Sequence, residues 1–210
     1  MVGSACFVVA PVPAYLRWVG ASADGVTFFV GSLFFTSAAA LQCWTTVQGE
    51  RASAATRRRS GQVRARGGHS LAWWSGAVQL LGTLFFNATT WRALTTAAGD
   101  PSYDRVVWRP DAFGSVCFLV SGFLAYAEAA DGAFKRLPRT RDGAVATVNL
   151  FGCVAFGVSA VADRVLPGTG EPVSLTVTNA ATCVGALAFL VGAALLLPQD
   201  TGTSTSQGAG

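Results

Sequence analysis

The sequence predicts an all-α fold, an integral membrane helical bundle of six transmembrane helices arranged as three tandem hairpins, the first helix short or truncated. Three observations carry that expectation. Asp, Glu, Lys and Arg make up only 12% of the 210 residues, against about 25% in ordinary soluble domains. The charges that exist are gathered between long uncharged stretches, and the mean hydropathy is +0.45. A Gly-x-x-x-Phe pattern then recurs once in every apolar stretch. Together these make a soluble enzyme, a disordered chain or a secreted disulfide scaffold poor fits.

The elements follow in order. Residues 1–15 are apolar but short, contain Pro11 and Pro13, and have no Lys or Arg ahead of them as a signal peptide needs. They read as a helix whose beginning lies upstream of Met1. Five further segments, 24–47, 71–94, 111–130, 143–165 and 173–197, each reach the roughly 20 residues needed to cross about 30 Å of hydrocarbon. Ser70 is placed to cap the second of these and Asp111 the third. Trp18, Trp44, Trp73, Trp74, Trp91 and Trp108 fall at or just outside segment ends, where amphipathic rings sit at headgroup level. The organisation is therefore a first hairpin (1–47), an Arg-rich loop (48–70), a second hairpin (71–130), a basic loop (131–142), a third hairpin (143–198) and a polar tail (199–210).

Charge asymmetry sets the orientation. Of 15 Lys and Arg, Arg51, Arg57, Arg58, Arg59, Arg64 and Arg66 lie in the first basic loop, and Lys135, Arg136, Arg139 and Arg141 in the second. The alternating loops hold Arg92, Arg105, Arg109 and Arg164, offset by Asp100, Asp104, Asp163 and Glu171. The expectation is an inner-membrane protein with both basic loops and the C-terminal tail cytoplasmic. The net charge of +4 then reflects retention on that side. In the Ser/Ala/Gly-rich loop, Arg57, Arg58, Arg59, Arg64 and Arg66 are expected to be disordered and to attract anionic lipid headgroups at about 1 kcal/mol per charge. They lack the aromatic interleaving of a nucleic-acid surface, so no nucleic-acid partner is expected. The bilayer is the expected partner, and a homo-oligomer is compatible with the sequence.

The recurring pairs are Gly3/Phe7, Gly31/Phe35, Gly82/Phe86, Gly114/Phe118, Gly152/Phe156 and Gly185/Phe189. Three residues beyond each Phe stands a small side chain: Ala10, Ala38, Thr89, Ser121, Ser159 or Gly192. Random placement of 24 Gly and 14 Phe gives about 1.6 such pairs, and only Gly25/Phe29 remains as an extra one. Offsets of four and seven residues fall within about 60° on a helix, so the three positions form one stripe. Such stripes are expected to pack helices, because lipid supplies no hydrophobic gain on helix association and close backbone approach must replace it.

The segments Val30-Gly31-Ser32-Leu33-Phe34-Phe35 and Leu81-Gly82-Thr83-Leu84-Phe85-Phe86, with Trp108-Arg109-Pro110-Asp111 leading into Phe113-Gly114-Ser115, resemble the YrhK-like domain family of bacterial multi-pass membrane proteins. The resemblance implies small two-helix membrane units and a membrane location. It implies no activity.

Few residues carry chemistry. No ionisable side chain falls in the middle of an expected span, which argues against proton relays and charged-substrate sites there. Gln79, Thr83, Asn87 and Thr90 share one helix face, and Asn149 takes the position equivalent to Gln79, three residues before its Gly. Interhelical hydrogen bonds are the first expectation for these amides and hydroxyls, and a polar path for a small neutral solute the second. The loop from Asp100 to Asp111 is expected to clamp neighbouring hairpins through Arg–carboxylate pairs, and His69 to be interfacial. Cys6, Cys43, Cys117, Cys153 and Cys183 read as small apolar residues, with no zinc spacing. The expected function is structural or accessory, without catalysis, cofactor or metal. The alternatives are a facilitator for a small neutral solute and a membrane sensor using the Arg-rich loop.

Overall fold

The computed structural model of the chain describes residues 1–59, 70–97, 99–130, 132, 140–166 and 171–197. Arg64 and Arg66, most of the second basic loop and the tail 199–210 lie outside the described residues. The fold is all-α: α1 (Val2–Val9), α2 (Pro13–Val19), α3 (Ala21–Arg59), α4 (Leu71–Ala93), α5 (Arg109–Ala129), α6 (Arg141–Ala162) and α7 (Leu175–Leu195), with one wide π turn, Asp104–Trp108, feeding α5. Among the described residues four helical segments are long and apolar enough to cross a membrane: Ala21–Thr56, Asp104–Ala129, Arg141–Ala162 and Leu175–Leu195. The pair α1 and α2 makes a fifth if it counts as one span bent by 92°. At 23 residues α4 is long enough, but its tryptophans, Gln79 and Asn87 hold its hydropathy below that of the others.

Local chemistry explains most boundaries. Ser70 caps α4 by accepting from Trp73 N at 3.1 Å, as expected, and its own N–H and hydroxyl donate to Glu50 at 3.1 and 2.6 Å. Thr140 caps α6 and Ser174 caps α7 in the same manner. The expectation for Asp111 is corrected. Because the π turn already starts the helix, α5 begins at Arg109 with no side-chain cap, and Asp111 falls inside its first turn.

Two other expectations change. The first apolar stretch is not one helix to Tyr15: Pro11 and Pro13 interrupt it, Pro13 starts α2, and α1 keeps 8 residues, about 12 Å of rise. Gly20, at φ +83°, makes the left-handed turn from α2 into α3, a conformation costly for other residues. The Arg-rich segment is not a loop from residue 48, since α3 runs on to Arg59 over 39 residues, about 58 Å. Arg57, Arg58 and Arg59 therefore lie in its last turns rather than in irregular chain. Its Ala, Glu and Arg content favours helix, and the Glu50–Ser70 bonds tie the extension to α4.

The helices close into a ring. Each neighbours the next in the order α1, α3, α4, α5, α6, α7, and α7 returns to α1. The α1–α3, α4–α5 and α6–α7 connections share one end of the bundle, here termed the hairpin end. Within these three pairs the same reciprocal contact recurs. A Cβ built on Gly82 would meet the Gly114 carbonyl at 3.0 Å and the Phe118 ring at 2.7 Å, and one on Gly114 would meet Phe86 at 2.9 Å. Gly152 and Gly185 face each other's carbonyl at 3.1 Å under Phe189 and Phe156. Gly3 meets the Gly31 carbonyl at 2.8 Å, and Gly31 meets Phe7 at 2.9 Å. Glycine is required there because any side chain would push the backbones apart.

The six motif phenylalanines meet on the axis. Ring-to-ring contacts link Phe7 to Phe35 and Phe156, Phe35 to Phe189, Phe86 to Phe118 and Phe156, and Phe118 to Phe189, with centroids 4.9 to 6.2 Å apart. Most pairs are edge-on, the arrangement the ring quadrupole favours. Outside this core the usual soluble-protein order is inverted. Ser32, Thr83, Ser75 and Ser121 are buried, whereas Leu81, Leu84, Phe113, Val116, Val154 and Leu187 are exposed. An apolar surface over buried hydroxyls suits a lipid solvent and would be an aggregation patch in water.

Candidate functional site

The polar residues singled out on α4 are mostly consumed by neighbouring helices. The Asn87 side-chain N–H donates to Thr36 Oγ1 on α3 at 2.8 Å. Gln79 Oε1 accepts from the Ser121 hydroxyl on α5 at 3.3 Å. Thr90 and Ser32 share a hydroxyl contact at 3.0 Å, and buried Thr83 turns back to the Leu80 carbonyl at 2.7 Å. Asn149 sits against Gly192 on α7, where an added Cβ would collide with its amide oxygen. Gln79 and Asn149 thus meet equivalent partners, each opposite the small residue seven positions beyond a second-helix Gly. One atom is left over: Asn87 Oδ1 is buried without a hydrogen bond.

Further hydroxyl bonds follow the same register. Thr89 donates to the Val107 carbonyl at 3.1 Å and Ser159 to the Thr178 carbonyl at 3.0 Å. Each donor stands seven residues after a first-helix Gly and each acceptor seven before a second-helix Gly. In the α1–α3 pair the first position is Ala10, which has no hydroxyl.

Above the phenylalanine cluster, at the hairpin end, lies a partly open cavity of about 220 Å³. Every helix of the ring contributes to it. Phe7, Phe28, Phe86 and Phe156 form an aromatic floor, and Tyr103, Asp111, Asp163, Asn179, Thr178 and Thr182 supply polar wall. The walls are held from outside. Trp108 donates its indole N–H to the Ala160 carbonyl at 2.8 Å, joining the start of α5 to the end of α6, and the Arg164 guanidinium stacks over Trp108 at 5.6 Å. Arg109 pairs with Asp104 at 3.0 Å. That ion pair lies within one connection, so the clamp between hairpins is made by Trp108 rather than by the expected Arg–carboxylate pairs.

The carboxylates dominate the electrostatics. Burial pushes the Asp163 carboxyl up to about 6. The Tyr103 phenol is raised above its ordinary range, first by burial and then by the nearby Asp163 and Asp111 charges. Asp111 is half-buried and stands on the cavity wall. Among the described residues neither the Asp111 nor the Asp163 carboxylate has a hydrogen-bond or ion-pair partner, and no Lys, Arg or His lines the cavity. No group of three or more His, Cys, Asp or Glu is gathered among them in a way that could hold a metal.

Sequence reasoning set Asp111 aside as a helix cap, yet a signal existed. The position three residues before the second-helix Gly is Phe28 in the first pair, Asp111 in the second and Thr182 in the third, and all three line the cavity. The motif register therefore marks Asp111 as inward-facing. Tyr103 carries no such signal, because it arrives from the connection between α4 and α5.

No protein-family model matches the chain, and no curated protein or solved structure is similar to it.

Proposed function

We propose that this chain is a six-span membrane bundle of three equivalent hairpins, structural or accessory in role, and neither an enzyme nor a conduit. The observation that carries this reading is the phenylalanine cluster: six rings, one from each motif, occupy the axis where a pore would have to run. The internal repeat is supported by the reciprocal Gly–Phe contacts in all three pairs and by the matching hydroxyl bonds of Thr89 and Ser159. In this reading α4 spans despite its polar content because most of its amide and hydroxyl groups find partners on α3, on α5 or in their own backbone. The basic end, with Arg57, Arg58, Arg59, Arg64 and Arg66, faces the cytoplasm and anionic headgroups, in the inner membrane.

Reconstitution in liposomes tests the reading against a facilitator for a small neutral solute, the alternative that the Gln79, Asn87 and Asn149 faces would serve. Water, glycerol and ion flux should equal that of empty liposomes. Flux above that level, lost in Asn87→Leu, would replace the scaffold with a channel.

A further inference from the structure

We infer that the cavity at the hairpin end is a binding site for a small organic cation, an amine or quaternary ammonium with a compact apolar body. Three features of the site point to that class. The partly open cavity of about 220 Å³ has room for about nine non-hydrogen atoms, scaled from a cavity of about 150 Å³ that holds benzene. Its floor is aromatic, with Phe7, Phe28, Phe86 and Phe156 on its lining, and ring faces attract cations as well as apolar groups. Its wall carries Asp111 and Asp163, neither carboxylate paired with any described residue.

Both carboxylates are half-buried on the cavity wall. Asp111 lies inside the first turn of α5, past the point where a helix cap would use it, and a carboxylate drawn from bulk water onto a cavity wall is costly without a counter-charge. Among the described residues no cationic side chain lines the cavity to supply one. Arg164 is engaged over Trp108, Arg109 is paired with Asp104, and Arg92 is exposed at the end of α4. At this end α1 and α7 contribute no charged side chain, α3 contributes Asp24, whose Oδ1 is itself buried without a partner, the α4–α5 connection contributes Tyr103 to the lining, and Arg105 and Arg17 are exposed and off the lining. A metal ion would need more donors than the pair offers. An ammonium group satisfies both carboxylates by charge while its body covers the floor. Asn179, Thr178 and Thr182 on α7 add hydrogen-bonding groups on one wall.

The test is isothermal titration of the full chain in uncharged maltoside micelles with phenyltrimethylammonium and with its neutral isostere tert-butylbenzene. The cation should bind saturably, one per chain, at least tenfold more tightly than the isostere. Asp111→Asn should weaken it tenfold or more. Lowering the pH from about 7 to about 5 should weaken binding to the wild type, as protons compete for the carboxylates. Equal affinity for the two probes would make the cavity a purely apolar pocket and overturn the assignment, as would the absence of saturable binding to folded protein. If Asp111→Asn does not fold, Asp163→Asn and the wild-type pH dependence read the same charge requirement. Affinity indifferent to both overturns it.

Discussion

Gly82 and Gly114 oppose each other so closely that a Cβ on either would stand 3.0 or 3.1 Å from the other's carbonyl oxygen. The two backbones therefore touch, and Phe86 and Phe118 fold over the contact from opposite sides, their centroids 4.9 Å apart. In lipid this close approach is itself the source of helix association, since apolar burial gains nothing there. The same relation holds between Gly152 and Gly185, and in the first pair Gly3 meets the Gly31 carbonyl at 2.8 Å while Gly31 meets Phe7, so the glycines are the joints within each pair.

Gly114→Ala should accordingly destabilise the bundle by about 1 to 3 kcal/mol, the range for overpacking a filled interior, because its methyl would strike the Phe86 ring at 2.9 Å. Gly49→Ala makes the informative contrast. Nothing lies within 4 Å of that position, and the substitution should gain up to about 1 kcal/mol of helix propensity. Unfolding in mixed micelles measures both. Equal effects at the two sites would mean that close approach at Gly114 contributes nothing.

Thr36 and Asn87 should show an asymmetric response. Thr36→Val leaves the Asn87 amide buried with neither end partnered, since its Oδ1 already lacks a bond, and should cost about 1 to 3 kcal/mol. Asn87→Leu removes the amide and its orphaned oxygen together and should be close to neutral. Combining the two should recover most of the Thr36→Val loss, which a double-mutant cycle reads directly.

The helices from α3 to α7 were legible because their determinants are local: apolar runs of spanning length, Ser70 as a cap, and glycine spacing that holds the packing stripe in register. What escaped was set by tertiary structure or by turns without a composition signature. The helical extension to Arg59 depends on Glu50 reaching Ser70 across twenty residues. The π turn moved the start of α5 ahead of Asp111, and so turned an expected cap into a cavity wall. The amides at Gln79, Asn87 and Asn149, on equivalent faces of α4 and α6, are expected first to bond neighbouring helices and second to line a polar path. Asn87 and Gln79 do bond α3 and α5 and Asn149 sits against α7, but which neighbour each meets was not legible. Periodicity reports which face is inward and not what waits there.

Trp108 tests how the hairpin end is held. Trp108→Phe keeps most of the ring but removes the indole donor to the Ala160 carbonyl, and it weakens the stack beneath Arg164. A loss of about 1 kcal/mol is expected, together with faster hydrogen exchange at the amides of 159–163. Unchanged exchange at that end of α6 would show that α5 and α6 are joined there by other contacts.

Asp163 should make the stability of the bundle depend on pH. Its carboxyl is raised from 3.8 to about 6 by burial, so between those values the folded protein holds a proton that the unfolded chain has released. Stability is then fully present below about pH 4 and falls as the pH rises to about 6. Above that it is level, with an ionised carboxylate buried at a cost of about 1 to 3 kcal/mol. Tyr103, raised further above neutrality, stays protonated throughout and does not mask the change. Asp163→Asn removes the titrating group, so it should be more stable than the wild type at pH 7 and differ little from it at pH 4, when unfolding is followed in uncharged micelles. The difference between the two proteins reports this carboxyl together with its repulsion of Asp111 across the cavity, and the more distant acids titrate in both. Parallel pH profiles would mean that the Asp163 carboxyl reaches water, and the wall of the cavity would then be open on the α6 side.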